Sequence, residues 1–401
     1  MKKRILSVLM GVTLVASMFA GCGSSENKTE ASEDKAETAT EDTAEDKTET
    51  TETTAAAGDF ECKPYSIALP FPESGLTSFE IARSNFDLLE SQTNGEIINA
   101  ASDLTPDGVL SFVESQVAAG VSGLVICPPS DSVLPTVTQL CEEAGVYWGI
   151  TLRSISDPEI KAMVEASPYY VGNCYEDEET AGYTCGKWMG DAGYKKIAII
   201  SQAKGDTTCD TREVGLGKAC EELGIEIVGE SRGHAQASDT TAATESFLAA
   251  NPDLDAIFFV GSACTGAHEA CIKAIQDAGR DDVKVVTIDF PDAMTEDFET
   301  GVLAYSYAQV CLTYDPYISI IKVVNAIQGT PIGDDGKFTS NTMAMYGIDS
   351  VEAAKEYQAI AGNPKYLFYD EEELKSFYKW ENPDLNEQTL QEMIDSYKVT
   401  E

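Results

Sequence analysis

Histidine is scarce in this chain of 401 residues, which contains only His234 and His268. A histidine-rich metal centre is therefore excluded, and the eleven cysteines form no C-x-x-C pair of the kind that binds zinc. The G-x-S-x-G turn of serine hydrolases and the P-loop of nucleotide-binding enzymes are also absent. We expect no metal, no cofactor and no catalytic centre, with both histidines in solvated or helix-capping positions.

Positive charge is also in short supply. The chain has 27 lysine and arginine residues against 68 aspartate and glutamate residues, a formal net charge of -41. Proteins bind nucleic acid and anionic lipid surfaces largely through lysine and arginine, so the composition argues against both partners. Any membrane attachment must come from another feature of the sequence.

The N-terminus has the layout of an export signal. Basic residues at 2–4 precede an apolar stretch at 5–20, which ends in small residues before Cys22. This arrangement resembles a bacterial lipoprotein signal, in which the cysteine is diacylated and becomes the first mature residue. We expect residues 1–21 to be the signal peptide and Cys22 the lipidation site, with the protein anchored to the outer face of the bacterial cell membrane. An ordinary signal peptide or a short membrane anchor is the alternative.

A low-complexity stretch follows this signal. Residues 23–58 consist almost entirely of Glu, Asp, Thr, Ala, Ser and Lys, without an aromatic residue. Such a composition cannot bury enough apolar surface to offset the entropy lost on ordering. We expect residues 22–58 to be a disordered acidic tether that begins at the lipidated cysteine. No later stretch has the ~20 apolar residues that a membrane-spanning helix needs.

The rest of the chain repeats one pattern, in which a short apolar run, a polar loop and an amphipathic helix follow one another. Nearly continuous apolar runs are typical of parallel strands that are covered on both faces. The predicted strands are residues 66–69, 96–100, 123–127, 147–152, 196–200, 226–228, 256–260 and 284–288. We predict an α/β fold with two doubly wound parallel-sheet lobes joined by a hinge.

The same pattern suggests how the chain is divided. We expect an N-terminal lobe from residues 59–165 plus about 310–335, and a C-terminal lobe from 166–309 plus part of 336–365. The last segment, 366–401, is predicted to be an acidic helical extension, to which we assign no function.

Ligands of doubly wound sheets bind beyond the carboxyl ends of the strands, so the loops there are the first place to look for a site. Polar and aromatic side chains in these loops could hold the hydroxyls and stack on the ring of a sugar. The candidate ligand-binding residues are Phe79, Arg153, Arg212, Asp289 and Gln309. Further candidates are Phe71, Trp148 and Ser262. The alternatives are salt bridges for the arginines, a turn for Asp289, and the hydrophobic core for Phe71 and Trp148.

Five stretches carry a resemblance to a known family: GVSGLVI at 120–126, PSDS at 129–132, KKIAII at 195–200, PDLDAIF at 252–258 and VVTID at 285–289. With the order of the elements, they resemble the sugar-binding type I periplasmic binding proteins, which include ribose- and galactose-type receptors. The resemblance covers roughly residues 65–330.

The resemblance implies a role for each candidate in turn. Arg153 and Arg212 match ligand-binding arginines that follow strands of the two lobes. Asp289 and Gln309 match a late carboxylate and amide that close on sugar hydroxyls, and Phe79 lies near the stacking aromatics of the family.

Two positions depart from the family pattern. Leu152 stands where many relatives have an aspartate beside the arginine, and Gly261-Ser262-Ala263 replaces an Asn-Asp pair. The resemblance implies a monomeric solute-binding protein that closes on a small polar ligand, a sugar by preference, and delivers it to an ABC permease.

Two other functions are consistent with parts of the predicted fold and site. A receptor for a signalling or nucleoside-like molecule would use the same lobes to feed a sensor system. A lipid-anchored glycan hydrolase would need paired carboxylates in the cleft, and Asp289 has no obvious acidic partner in the sequence.

The ten cysteines that follow Cys22 have no assigned partners. Several lie where a small core residue would suffice, so we expect buried thiols. Pairing of Cys264 with Cys271, or of Cys174 with Cys185, is the alternative that an exported protein allows.

Overall fold

The computed structural model describes residues 60–70, 77–102, 105–234, 237–261, 267–289 and 293–397. The predicted signal peptide, the tether and Cys22 lie outside these residues, as do Phe71 and Ser262. The strands are β1 (Tyr65–Leu69), β2 (Gly95–Asn99), β3 (Gly123–Ile126), β4 (Tyr147–Ile150), β5 (Tyr170–Tyr175), β6 (Lys196–Ser201), β7 (Glu226–Arg232), β8 (Ala256–Phe259), β9 (Lys284–Ile288), β10 (Leu303–Gln309), β11 (Thr339–Thr342) and β12 (Met345–Ile348).

Helices follow most of these strands. They are α1 (Thr77–Thr93), α2 (Pro106–Ala119), α3 (Leu134–Ala144), α4 (Pro158–Glu165), α5 (Glu178–Asp191), α6 (Thr207–Leu223), α7 (Ala237–Ala250), α8 (Ala267–Asp277), α9 (Met294–Glu299), α10 (Tyr314–Ile327), α11 (Val351–Ala361), α12 (Glu371–Lys375) and α13 (Glu387–Ser396). Among the described residues, no helix has both the length and the apolar character needed to cross a bilayer.

The strands form two six-stranded sheets. The first has the order β11-β5-β4-β3-β1-β2, and all its neighbouring strands are parallel. The second has the order β12-β10-β9-β8-β6-β7, and its β10–β12 pair alone is antiparallel. Buried apolar clusters cover both faces of each sheet, as continuous apolar strands require. The predicted α/β fold with two doubly wound lobes is confirmed.

The predicted boundaries between the lobes need correction. Strand β5 belongs to the first sheet, although the sequence analysis placed residues 166–309 in the second lobe. Strand β11 also belongs to the first sheet, whereas β12 lies in the second. Because β5 contains Gly172 and Asn173 and β11 has no large apolar residue, neither has the continuous apolar run on which the predicted strands rest. Strands β10 and β12 were not predicted either.

The chain passes between the sheets at three places. The first is the two-residue link from β5 to α5, the second joins β10 to α10, and the third joins β11 to β12. Three short connections of this kind allow two lobes to rotate without sliding strands past one another.

Helix α10 lies at the centre of the first lobe and is buried from Tyr314 to Ala326. Two of its polar side chains face the sheet: Asp315 accepts a hydrogen bond from Thr151 Oγ1 at 2.5 Å, and Lys322 Nζ donates to the Asn173 carbonyl at 2.8 Å. Burial raises the pKa of Asp315 to about 7 and lowers the pKa of Lys322.

The C-terminal segment, residues 366–397, covers the other side of α10. Its apolar side chains join the core of the first lobe: Phe368, Leu374, Phe377, Tyr378, Leu385, Leu390 and Ile394. Gln391 exchanges two hydrogen bonds with the backbone of Thr342 and so protects the edge strand β11. The predicted extension is therefore part of the first lobe, and it contains two short helices, α12 and α13.

Removal of this segment tests its structural role. Truncation of residues 366–401 should strongly destabilise the first lobe, because each large apolar side chain contributes about 1.5–3 kcal/mol when fully buried. Chemical denaturation followed by circular dichroism measures the effect. A truncated protein that unfolds at the same denaturant concentration as residues 59–401 would show that the segment is dispensable.

The expectation that both histidines are solvated or cap helices is wrong, because both are buried. His268 lies between two carboxylates, with Nε2 3.2 Å from Asp297 Oδ2 and Nδ1 3.0 Å from Glu269 Oε2. Burial by itself would lower the pKa of His268, but the two carboxylates raise it to about 9. These groups are close enough to hold a metal ion, but with a carboxylate at each ring nitrogen they form an ion-paired imidazolium.

This ion pair should make the stability of the protein depend on pH. A histidine whose pKa rises from 6.5 to about 9 on folding stabilises fully below pH 6.5 and loses its effect as the pH rises through 9. The loss should be about 3 kcal/mol. Glu176 and Asp315, whose pKa values are also raised, still titrate in a His268→Gln variant. Denaturation curves at several pH values should therefore fall less steeply for this variant than for the natural protein between pH 6.5 and 9. Parallel curves for the two proteins would contradict the assignment.

The described cysteines are free, and eight of the nine are buried. Cys174 and Cys185 do not pair, Cys271 is free, and Cys264 lies outside the described residues. Burial raises the pKa of the Cys174 thiol to about 11, so it is protonated and unreactive at neutral pH.

Candidate functional site

A cleft lies between the lobes beside the first connection, with a volume of about 440 Å³ that includes space open to solvent. Its walls are residues 152–154 and 156 after β4, residues 175–179 around the link between the lobes, and Thr207, Thr208 and Thr211 at the start of α6. The walls follow the carboxyl ends of β4, β5 and β6, where doubly wound sheets bind their ligands.

Arg212 organises the second-lobe side of this cleft, and its side chain is 5% exposed. Its Nε lies 2.5 Å from Glu178 Oε2, and its Nη2 lies 3.1 Å from Glu176 Oε2. Its Nη1 donates to the Val260 carbonyl at 3.1 Å and lies 3.5 Å from Asp289 Oδ2. One guanidinium thus holds three carboxylates from two segments of the chain, the β5–α5 connection and the end of β9.

Glycines explain how Arg212 reaches this position. A Cβ on Gly182 of α5 would lie 1.8 Å from the Arg212 carbonyl oxygen, and a Cβ on Gly215 of α6 would lie 1.8 Å from the Glu179 carbonyl oxygen. The two helices can therefore touch backbone to backbone only because both residues lack side chains. Gly261 has φ of 146°, and a Cβ there would lie 2.2 Å from Arg212 Nη1.

The carboxylates around Arg212 are crowded. Burial, and then the neighbouring charge of Glu178, raises the pKa of Glu176 to about 8. Burial raises the pKa of Glu178 as well, although Arg212 opposes the shift. Three acidic groups share the donors of a single guanidinium on this side of the cleft.

Arg153 lies on the opposite wall and is half-buried. It follows Leu152, which has φ of 60°, a strained value for a side chain of this size. The Asp315 carboxyl group holds this turn through Thr151 Oγ1 and the Leu152 backbone, while Asn173 Nδ2 donates to the Arg153 carbonyl at 3.2 Å. Arg153 is thereby fixed in the cleft, where it interacts electrostatically with Glu178 across the lobes.

Asp289 and Gln309 lie at the carboxyl edge of the second sheet. Asp289 has φ of 82°, and Ser306 Oγ fixes this turn by donating to its carbonyl at 2.6 Å. Gln309 is 3% exposed, and both polar atoms of its amide lack a hydrogen-bond partner among the residues that the structure describes. Buried amides are rarely left unpaired, so both positions have the features of a ligand site.

The structure separates two of the predicted residues from the cleft. Trp148 is fully buried against Tyr170 in the core of the first lobe, so its assignment as a ligand contact is wrong. Phe79 lines a separate cavity of about 310 Å³, near Asn99 and Thr313.

Glu176 and Glu178 are the residues that the sequence analysis missed. They follow β5, which was not predicted as a strand, so the strand end that points to Glu176 and Glu178 was not placed correctly. The premise that Asp289 has no acidic neighbour is also wrong, because Arg212 brings it together with Glu176 and Glu178.

The fold and the position of the cleft agree with a family match. Residues 67–313 match the model of the periplasmic binding protein domain, so the chain belongs to this family. No curated protein sequence matches the chain significantly.

Solved structures share the fold. A solute-binding protein from Actinobacillus succinogenes with bound D-allose has a TM-score of 0.62 at 22% identity, covering 74% of this chain and 100% of its own. A periplasmic ribose ABC transporter protein from Conexibacter woesei has a TM-score of 0.61 at 17% identity, covering 76% and 97%. A Bacillus halodurans protein with bound myo-inositol has a TM-score of 0.59 at 18% identity, covering 76% and 99%.

The two arginines should respond differently to replacement. Arg212→Ala should lower the free energy of unfolding by about 3–5 kcal/mol, because it leaves buried carboxylates without a counter-charge. Arg153→Ala should cost about 1 kcal/mol or less, because the residue is half-buried and its side chain donates a hydrogen bond to the carbonyl of the neighbouring Leu152. Urea denaturation of both variants measures the difference, and equal losses would contradict the structural role of Arg212.

Proposed function

We propose that this protein is an extracytoplasmic, lipid-anchored solute-binding protein that captures a small polar ligand, a sugar by preference, for an ABC importer. The observation that carries the proposal is the interlobe cleft, in which charged and hydroxyl side chains converge from both lobes. The relatives with bound D-allose and myo-inositol support a ligand rich in hydroxyl groups.

The chemistry of the cleft walls suits such a ligand. Thr207, Thr208 and Thr211 supply hydroxyls that both donate and accept hydrogen bonds. The fork of Arg153 donates to adjacent oxygens, and Glu176 accepts from hydroxyls. The Gln309 amide, which has no hydrogen-bond partner within the described part of the chain, would gain partners if the ligand reached it.

We infer that ligand binding closes the lobes about the three connections. A ligand favours the closed state only through contacts that the open state lacks, and contacts to both walls have this property. The C-terminal segment would also be affected by closure of the lobes, because it contacts the second sheet. Tyr346 of β12 donates a hydrogen bond to the Tyr397 carbonyl across the third connection. The closed form is then the state that a permease recognises.

The sequence supports the proposed location of the protein outside the cell membrane. The predicted signal and Cys22 would place the protein on the outer face of the membrane, and the acidic tether would let the binding lobes reach a permease. We expect the binding unit to act as a monomer.

A thermal-shift screen of residues 59–401 against monosaccharides, polyols and nucleosides tests the proposal. A ligand at a hundredfold excess over its Kd stabilises the folded state by about 2.7 kcal/mol, which raises the melting temperature. Arg153→Ala should abolish the shift, whereas Lys273→Ala, on the exposed surface of α8, should keep it.

Each alternative function predicts a different result in this screen. Stabilisation by a nucleoside-like molecule and by no sugar would favour the signalling receptor. Conversion of a bound glycan into product would favour the hydrolase, whereas recovery of the ligand unchanged is expected for a binding protein.

A further inference from the structure

Acidic residues outnumber basic residues in the wall of the cleft. Four of its wall residues are acidic, Glu176, Asp177, Glu178 and Glu179, and one, Arg153, is basic. Asp177 caps α5 and Glu179 pairs with Lys218 at 2.5 Å, so these two carboxylates have structural partners. Glu176 and Glu178 instead share Arg212 with Asp289.

Glu176 is the most constrained of these groups, with its side chain 7% exposed. Its Oε2 accepts from Arg212 Nη2 at 3.1 Å, and no second hydrogen bond to this carboxylate is formed by the described residues. A buried carboxylate with one donor retains several unfilled acceptor positions, and in the cleft wall those positions are available to a ligand. A hydrogen-bond donor on a ligand in the cleft could fill one of these positions.

A neutral sugar supplies such donors but no charge. Glu176, Glu178 and Asp289 are gathered around one guanidinium. Burial raises the pKa of Glu176 to about 8, and the negative charges of Glu178 and Asp289 add to this rise, so a positive charge beside these carboxylates would relieve their mutual repulsion. An ammonium group supplies both the charge and three donors. The threonine hydroxyls of α6, at the same cleft, suit the hydroxyl groups of the same ligand.

We propose, on the basis of the function proposed above, that the ligand is a polyhydroxylated molecule with a protonated amino group, such as an amino sugar, whose ammonium group binds Glu176 and Glu178. The buried Arg212 fixes the positions of both carboxylates, while Arg153 on the opposite wall contacts the oxygens of the ligand. The neutral sugars bound by structurally similar proteins would then be poorer ligands here than their amino counterparts.

Matched pairs of ligands test this assignment by isothermal titration calorimetry of residues 59–401. The probes are glucose, galactose and mannose, each compared with its 2-amino and its N-acetylated 2-amino derivative. One amino sugar should bind at least about tenfold more tightly than its neutral and N-acetylated partners, which corresponds to 1.4 kcal/mol. Glu176→Gln should remove this preference, whereas Glu245→Gln, on the exposed face of α7, removes the same charge elsewhere and should keep it.

Proton release gives a second readout that does not depend on the affinity. At pH 7 Glu176 is largely protonated without a ligand, so binding of an ammonium group should expel up to one proton per site. The measured heat should therefore depend on the ionisation enthalpy of the buffer for the natural protein but not for Glu176→Gln.

The outcomes separate this inference from the function on which it rests. Binding of neutral sugars in preference to every amino sugar would overturn the ammonium assignment and leave the sugar-binding function intact. A Glu176→Gln variant that keeps the amino-sugar preference would also overturn the assignment. If no sugar of either kind bound, the proposed function itself would fail.

Discussion

The cleft depends on one close contact between helices α5 and α6. Gly182 and Gly215 let the two backbones touch, and this contact brings Arg212 against the carboxylates at the start of α5. A buried guanidinium is costly unless it is paired, and buried carboxylates are equally costly without a cation. The groups therefore fix one another, and through Asp289 they also fix the turn at the end of β9.

The first lobe positions its wall of the cleft by different means. Helix α10 is covered by the sheet on one side and by the C-terminal segment on the other, so its polar side chains have partners only within the protein. Asp315 uses this environment to hold the strained turn at Leu152, which directs Arg153 into the cleft. The C-terminal segment thus affects the site without contacting it, by enclosing the helix that supports it.

Sequence patterns predicted the fold well where the strands are continuous apolar runs, as in β3 and β8, and poorly where glycine or polar residues interrupt them, as in β5. The rule that ligands bind after strand ends located Arg153 and Asp289, because it needs only local sequence. The same rule missed Glu176, since it depends on knowing that β5 is a strand. Trp148 was misassigned because an apolar strand does not reveal which of its residues lies in the core and which faces the cleft.

Hydrogen exchange with a ligand from the thermal-shift screen tests the central claim that the binding site is the cleft between the lobes. We predict that the ligand slows exchange in both walls at once, at residues 152–156 of the first lobe and at residues 176–179 and 207–211 on the second. Protection confined to one lobe, or centred on the separate cavity beside Phe79, would contradict the account.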